Sequence, residues 1–298
     1  MRLAAVVLAT LLALPSPAMA WGFEAHKFIA DRMIELLPPQ LRPLFEKRRA
    51  FIVERAIDPD LWRNVGWEAE PPNHFVDLDL PAFGPFPFAG LPHDYSAAVQ
   101  KFGKAVIEEQ GTLPWRTAEF YGRLQREFES LKRQPQPGYA LDNIALYSAV
   151  LAHYIADAHV PLHAVINYNG QLTGQSGVHS RWEAELFERH RATLKIAPGP
   201  VKPVINPTEF IFATLLDSNR LAPNVLASDK AAAEGREFYD DGYFDAFATG
   251  TLPTLERRLN DSIAAVASAI VGAWEQAGKP PVPAEVPRTP ARIRRPTP

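Results

Sequence analysis

Residues 142–159 form the segment that most constrains the fold of this 298-residue chain. Apolar or small residues surround nearly the whole surface of a helix drawn over this segment, which predicts a helix buried at the centre of the molecule. His153 and Asp157 are the exceptions on that surface. Because they are four residues apart, both side chains project from the same face of the helix. A buried imidazole and carboxylate in this arrangement either pair with each other or bind a common metal ion.

The rest of the chain is also predicted to be mostly helical. Apolar periodicity predicts a first helix that stops at Pro38-Pro39, and further helices over 43–56, 95–109, 114–132, 179–194 and two or three within 207–277. Prolines punctuate residues 58–94, which we expect to be a long irregular stretch. Neither a strand pattern nor an internal repeat is evident. The predicted fold class is therefore all-α, a single compact multi-helix domain over residues 21–278.

The two ends of the chain differ from the predicted domain. Residues 1–20 have the features of a cleaved secretory signal: a positive charge at Arg2, the apolar run Leu3–Leu14, and Ala18-Met19-Ala20 as a cleavage site. We therefore expect a periplasmic or extracellular protein. Beyond this signal no apolar run approaches the roughly 18–20 residues that span a bilayer, so we expect no transmembrane segment. Residues 279–298 are rich in proline and arginine, which predicts a disordered tail.

Composition excludes several other classes of protein. The chain has no cysteine, so it has neither disulfides nor a thiol nucleophile. The formal net charge is −3, and the basic tail leaves the preceding body more acidic still. An acidic body lacks the electrostatic footprint of a general nucleic-acid binder. We expect a monomer.

Further candidate metal ligands lie on both sides of the central helix. They are the amine of Trp21, which becomes the N-terminus if the signal is removed, and the side chains of His26, Asp60, His74, His163, His179 and Glu183. His179 and Glu183 repeat the spacing of His153 and Asp157. Amines, imidazoles and carboxylates are all ligands for a cation such as zinc. Burying so many ionisable groups in one apolar bundle is costly unless metal ions neutralise them, so the set predicts a metal centre.

Six of these segments resemble the motifs of one superfamily. They are Trp21-Gly-Phe-Glu-Ala-His26, Asp60-Leu-Trp-Arg63, Asn73-His-Phe-Val-Asp77, His153-Tyr-Ile-Ala-Asp157, Pro161-Leu-His163 and His179-Ser-Arg-Trp-Glu183. In this order they are similar to the superfamily of bacterial zinc-dependent phospholipase C and of the fungal and plant single-strand nucleases that also act as 3′-nucleotidases. The resemblance implies an all-α fold with a tri-zinc cleft, in which a zinc-activated hydroxide hydrolyses phosphate esters.

The resemblance also implies how the ligands divide among up to three zinc ions. The first ion would be held by Asp60, His74, His153 and a bridging Asp157; the second by His163, His179 and Glu183; the third by the amine and carbonyl of Trp21, by His26 and by the shared Asp157. Asp58 competes with Asp60 for its role, and Asp60 is preferred because Asp-x-x-Arg matches the nuclease branch. Asp60, Arg63 and Asp157 are the predicted catalytic residues, with Arg63 stabilising charge on phosphorus. A surface ion pair is the alternative role for Arg63.

Other residues are weaker candidates. Glu24 occupies the position of an acidic choline contact in the phospholipase branch, and solvation in the first helical turn is the alternative. Phe86 in the proline-rich segment would grip an acyl chain or a base, or only pack the loop. Asn167 would hydrogen-bond near the site. Asp77 and Asp79 are candidate acceptors behind the ligands, and His159 has either such a supporting role or a structural one.

Two enzyme functions and one non-enzymatic function are compatible with these motifs. A phospholipase C-like phosphodiesterase is favoured by Glu183, by the short His163–His179 interval and by Glu24. A single-strand nuclease or 3′-nucleotidase is favoured by Trp21-Gly22 and by Arg63. The predicted partner is accordingly a phosphate-ester substrate, either a phospholipid or a single-stranded nucleic acid or nucleotide. The third possibility is a non-catalytic, zinc-stabilised binding protein.

Overall fold

The computed structural model describes residues 21–133 and 138–285. Within these residues every regular element is helical and no strand is present, which confirms the predicted all-α class. Among the described helices, none combines the length and the apolar character that crossing a membrane requires. The predicted signal peptide lies outside the described residues, as does the predicted tail from residue 286 onward.

The helices follow the chain in this order. The first eight are α1 (Phe23–Ile34), α2 (Arg42–Lys47), α3 (Arg49–Arg55), α4 (Asp58–Asn64), α5 (Tyr95–Phe102), α6 (Lys104–Gln110), α7 (Leu113–Ser130) and α8 (Ala140–Ala158). They are followed by α9 (Val178–Ser180), α10 (Leu186–His190), α11 (Pro207–Ala233) and α12 (Asp241–Gln276). A π-helical turn, Arg181–Glu185, joins α9 to α10, and short 3₁₀ turns occur at Pro71–His74, Pro81–Phe83 and Pro161–Ala164.

Helix α8 lies at the centre of the molecule, as its apolar surface predicts. Fifteen of its nineteen residues are buried, and α1, α3, α7, α11 and α12 all pack against it. It ends at Ala158 because Pro161 follows, and the residue before that proline, Val160, is extended. The chain then turns back through Pro161–Ala164, which places His163 beside the last turn of α8.

The proline-rich stretch 58–94 contains more helix than predicted. Asp58–Asn64 forms α4, with Pro59 in its first turn. A proline is tolerated there because the first N–H groups of a helix have no partner within the helix. The prediction of a loop at this point is therefore wrong, and Asp60 projects from a helix.

Two predicted helices are each interrupted. The segment 43–56 lies in α2 and α3, which meet at Arg48. The segment 95–109 divides into α5 and α6 at Gly103, whose φ of +86° is accessible to glycine at little cost.

One buried arginine fastens the end of α8 to the two long helices. The guanidinium of Arg258 in α12 donates to the carbonyl of His159 at 2.8 Å and to Ser218 Oγ in α11 at 2.7 Å, and it pairs with Asp217 at 2.7 Å. The ring of His159 points back along α8, where its Nδ1 lies 2.7 Å from the carbonyl of Ile155. His159 therefore supports the end of α8 and lies outside the ligand groups described below.

Candidate metal centre

Eight side chains that the sequence marks as metal ligands converge beside α8. Each is at most 4% exposed: His26 from α1, Asp60 from α4, His74 and His163 from 3₁₀ turns, His153 and Asp157 from α8, His179 from α9 and Glu183 from the π-helical turn. Their potential ligand atoms form three compact groups, each within 4.8 Å: His26, Asp60 and His153; His74, His153 and Asp157; and His163, His179 and Glu183. These buried groups can hold metal ions.

Asp157 occupies the middle of the centre and uses both carboxylate oxygens. Its Oδ2 lies 3.0 Å from His74 Nδ1 and 3.2 Å from His153 Nε2, while its Oδ1 lies 3.3 Å from His26 Nε2. The rings of His26 and His153 stack with their centroids 3.9 Å apart. One carboxylate thus faces ligand atoms on two sides, which is the geometry that a bridging ligand requires.

The group of His163, His179 and Glu183 lies next to the first. The Nε2 atoms of the two histidines are 2.9 Å apart, and Glu183 Oε2 lies 2.9 Å from His179 Nε2. His163 also connects the groups, because its Nδ1 is 3.8 Å from Asp157 Oδ1. Glu183 projects from the π-helical turn, an element that is uncommon and is often found at functional sites.

The structure distinguishes between the two competing aspartates of α4. Asp60 is fully buried, with its Oδ1 3.9 Å from His74 Nδ1 and 3.0 Å from Arg63 Nη2. Asp58 instead pairs with the exposed Arg55 at 3.3 Å. Asp60 is therefore the aspartate that α4 brings to the histidines.

Backbone carbonyls orient two of the imidazoles. His153 donates from Nδ1 to the carbonyl of Ala56 at 2.8 Å, and His163 donates from Nδ1 to the carbonyl of His74 at 2.6 Å. Since a neutral imidazole has one N–H, each hydrogen bond leaves the lone pair of Nε2 directed at the ligand group. Both rings are thus held in the tautomer that can bind a cation.

Burial controls the charges of the centre. It lowers the pKa of His26 and of His163 to about 4, and it lowers the pKa of His179 well below its ordinary value. These imidazoles are therefore neutral at pH 7. Burial, together with the charges of Asp157 and Asp60, raises the pKa of Glu183 well above its usual range. Burial opposes ionisation of Asp157 too, but His153 and His163 outweigh it and lower its pKa well below the ordinary value.

Many polar atoms of the centre have no hydrogen-bond partner within the described residues. They are both ring nitrogens of His26, both carboxylate oxygens of Asp60 and Glu183, His74 Nε2, Asp157 Oδ1 and His179 Nδ1. Each such atom costs about 1–3 kcal/mol when it is buried without a partner. Neutral imidazoles and carboxylates aimed at one another are the donor set of a divalent cation, and a cation would offset that cost. The residues therefore fit a metal.

Trp21 contacts the residues next to two of the candidate ligands, Asp157 and Glu183. Its side chain is fully buried, its indole Nε1 donates to the carbonyl of Ala156 at 2.8 Å, and its ring lies 5.2 Å from that of Trp182. Gly22 packs so tightly that a Cβ there would lie 2.7 Å from Ala184. The start of the predicted mature chain is thus fixed between Ala156, which precedes Asp157, and Trp182 and Ala184, which flank Glu183.

A cleft of about 590 Å³, called the metal cleft below, opens onto this centre. Its lining includes Arg63, His74, Phe75, Asp77, Gln110, His163, Tyr168 and His179. Burial and the nearby Asp79 raise the pKa of Asp77 to about 7. Three ligand-type histidines and one arginine therefore face a space that a small molecule or a polymer end can enter.

The three predicted substrate contacts do not line the metal cleft. Glu24 is two residues from His26 on α1 and so faces another direction, where it pairs with Arg191 at 3.1 Å. Phe86 packs under the guanidinium of Arg220, which lies 4.5 Å from its ring centroid. Neither residue is among those that line this cleft.

Asn167 and the two loop aspartates shape the surroundings of the cleft. The Asn167 side chain accepts from the backbone N–H of Leu172 at 2.8 Å and donates to Thr173 Oγ1 at 3.1 Å, so it organises its own loop. Asp79 accepts from the backbone N–H of Ile166 at 2.7 Å. Asp77 lines the cleft itself.

Sequence reasoning missed Glu70, a buried carboxylate behind His74. Its Oε1 lies 3.6 Å from His74 Nε2. The only available signal is its position four residues before His74, in a proline-rich segment where helical spacing is not expected to apply.

No protein-family model matches the chain, and no curated protein matches it.

Proposed function

We propose that the chain is a secreted zinc-dependent hydrolase of phosphate esters, of the phospholipase C and single-strand nuclease type. The observation that carries the proposal is the placement of Asp157 between ligand groups that open on a cleft containing Arg63. Up to three zinc ions would be held, by the ligand sets that the resemblance implies. A purely structural zinc site is closed by four protein ligands, whereas here His74, His163 and His179 also line the cleft.

Different residues would have different roles around the metal ions. Bound zinc would lower the pKa of a water molecule and polarise a phosphoryl oxygen. Asp157 would hold neighbouring ligand groups at a fixed separation, because its two oxygens face ligand nitrogens on different sides. The carbonyls of Ala56 and His74 keep His153 and His163 in the metal-binding tautomer.

Arg63 would contribute a positive charge to the wall of the metal cleft. Its side chain is 16% exposed and is anchored to Asp60 at 3.0 Å. Its Nε has no hydrogen-bond partner within the described residues, and the residue lines the metal cleft. A guanidinium binds phosphate oxygens well, and it would stabilise the charge that develops on them.

A phospholipase C-like phosphodiesterase is the leading form of this proposal. Glu183 and the short interval between His163 and His179 support it through the resemblance. Glu24 no longer supports it, because that side chain lies away from the metal cleft and pairs with Arg191.

A nuclease or 3′-nucleotidase is the second candidate, and one observation favours it. Phe75 and Tyr168 line the metal cleft together with Asp77 and Gln110. Aromatic faces beside hydrogen-bonding groups can stack on a base and hydrogen-bond to its edge.

The deciding experiment uses zinc-loaded protein that begins at Trp21, with chelator-treated protein as the control. Each is incubated with phosphatidylcholine vesicles and with single-stranded DNA, and the phosphorus-containing products are identified. Zinc-dependent release of phosphocholine supports the phospholipase, and release of nucleotides without lipid cleavage supports the nuclease. Retention of zinc with hydrolysis of neither substrate, nor of a simple phosphodiester, would favour the non-catalytic binding protein.

A further inference from the structure

Glu70 is a fully buried carboxylate immediately before the 3₁₀ turn that carries His74. Its Oε1 lies 3.6 Å from Nε2 of His74, which is the ring nitrogen that faces away from Asp157. Burying a carboxylate is costly, so such a residue needs partners that offset the cost.

Three side chains hold Glu70 in place. Tyr154 donates to Oε1 at 2.5 Å, Asn73 donates to Oε2 at 3.2 Å, and Arg116 Nη2 lies 3.5 Å from Oε2. Tyr154 follows His153 in α8, and Arg116 comes from α7. Glu70 is therefore fixed from two helices and from its own turn, with Oε1 directed toward His74.

The ring of His74 is oriented for binding through Nδ1. That atom lies 3.0 Å from Asp157 Oδ2 and 3.1 Å from His153 Nε2, so it belongs to the central ligand group. Nε2 has no hydrogen-bond partner in the described part of the chain. To offer a lone pair at Nδ1, a neutral imidazole must carry its proton on Nε2.

We propose that Glu70 is a positioning residue that accepts this Nε2–H and so commits His74 to bind metal through Nδ1. A shift of roughly 0.7 Å brings the 3.6 Å pair to hydrogen-bond length. His153 and His163 use neutral carbonyls for the same purpose, whereas His74 uses a charged carboxylate. A carboxylate behind a ligating imidazole raises its basicity and strengthens metal binding.

The inference rests on the metal-binding part of the proposed function and is independent of the substrate. The test measures zinc affinity of the mature protein by competition with a chromogenic chelator. Relative to the wild type, Glu70→Ala is expected to weaken one zinc about 10–100-fold, and Glu70→Gln less, because an amide oxygen still accepts but carries no charge. Glu119→Gln is the matched control, since it removes the other carboxylate on Arg116, at 2.8 Å, without touching His74. It is expected to leave zinc affinity unchanged.

The outcomes separate this inference from the proposed function. Zinc binding by the wild type with unchanged affinity in both Glu70 variants overturns the role of Glu70 alone. Failure of the wild type to bind zinc overturns both. Nitrogen-15 NMR of the zinc-loaded wild-type protein gives a second test that needs no variant, since the expected His74 signals are those of a ring bound to zinc through Nδ1 and protonated at Nε2. A ring bound through Nε2 instead would overturn the inference even if the variants do not fold.

Discussion

Two clefts in the described part of the chain differ in character. The metal cleft has a volume of about 590 Å³, and a wider groove of about 970 Å³, lined among others by His93, Trp115 and Glu209, lies elsewhere. In the groove, His93 pairs with Glu209 at 2.9 Å and Trp115 donates to the carbonyl of His93 at 2.7 Å. In the metal cleft, buried carboxylates and imidazoles are left without hydrogen-bond partners.

This difference indicates which cleft is the better candidate for a ligand site. A stable fold normally satisfies its buried polar groups, so a concentration of unsatisfied ones implies a ligand that completes them. The groove is larger, yet Glu108, Glu119 and Glu209 in its lining already have partners. Glu70 and Arg116 connect the two regions, because Arg116 lines the groove while its guanidinium pairs with the carboxylate behind His74.

The largest effect is expected from Asp157→Ala. The substitution removes the carboxylate shared by His26, His74 and His153, so activity should fall below detection and metal content should drop. Unfolding free energy should decrease by about 3–5 kcal/mol, because the polar groups around this buried carboxylate lose the partner that compensates for their burial. Phosphodiesterase assays, elemental analysis and denaturant titration measure the three quantities.

Asp142→Ala is the matched control on the same helix. Asp142 is about half exposed and pairs with Arg48, and pairs of this kind contribute roughly 0–1 kcal/mol. Its activity and metal content should equal those of the wild type. Normal activity and retained zinc in Asp157→Ala would refute the bridging role.

Removal of zinc is expected to have the next largest effect. A ligand present at 1,000 times its Kd stabilises a protein by about 4 kcal/mol, so chelation should lower the unfolding midpoint markedly. Metal-free protein should also be sensitive to acid. His26 and His163 have pKa values of about 4 when folded and an ordinary value of 6.5, because burial disfavours the charged ring. The unfolded chain therefore takes up protons first, and stability present above pH 6.5 is lost as the pH falls toward 4.

Thermal unfolding between pH 4 and 8, with and without chelator, measures both effects. Re-addition of zinc at pH 7 should restore the midpoint. An identical midpoint before and after chelation would show that the centre does not hold a stabilising metal.

Substitution of the two α4 aspartates should distinguish a metal ligand from a residue that only forms an ion pair with an exposed arginine. Asp60→Asn is expected to reduce activity by about 100-fold or more. Loss of a residue that only hydrogen-bonds to a metal ligand typically costs about 10–100-fold, and loss of a ligand itself should cost at least as much. Asp58→Asn removes only the pair with Arg55 and should change activity less than about 3-fold. Steady-state kinetics at saturating zinc tests this, and the reverse ranking would exchange their roles.

A smaller and more selective effect is expected from one alanine added before Trp21 in the mature protein. The side chain of Trp21 is fixed by Ala156 and Trp182, so the added residue should displace only the terminal amine. Zinc content should fall by about one equivalent with the other ions retained. The same alanine added at the C-terminus is the control. Unchanged metal content in the N-terminal variant would remove this amine from the ligand set.

Four of the candidate ligands could be predicted from the sequence because regular helical spacing carries the information. His153 with Asp157, and His179 with Glu183, are four residues apart, and α8 is apolar enough to predict that its polar residues are buried together. The helical class follows from the same periodicity.

The residues around the ligands could not be predicted in this way. Glu24 and Phe86 matched or neighboured informative motifs, but packing turns Glu24 toward Arg191 and Phe86 toward Arg220. Glu70 depends on contacts with Tyr154 and Arg116, which are distant in sequence. Such contacts arise from tertiary packing and leave no periodic signal.

The smallest effect is expected in the wider groove. Glu209→Gln removes the partner of His93, but both side chains are substantially exposed, at 55% and 40%. Stability should change by less than about 0.5 kcal/mol, and kcat/KM should stay within about 2-fold of the wild type. Kinetics on the substrate identified for the metal cleft, together with chelator competition for zinc, provide the measurement. A loss of 10-fold or more in kcat/KM with zinc affinity unchanged would mean that substrate extends into the groove. The distinction between a metal cleft with unpartnered buried groups and a groove whose side chains are already paired would then fail. Arg116, which lines the groove and pairs with Glu70, would be the first residue to examine as a link between the two clefts.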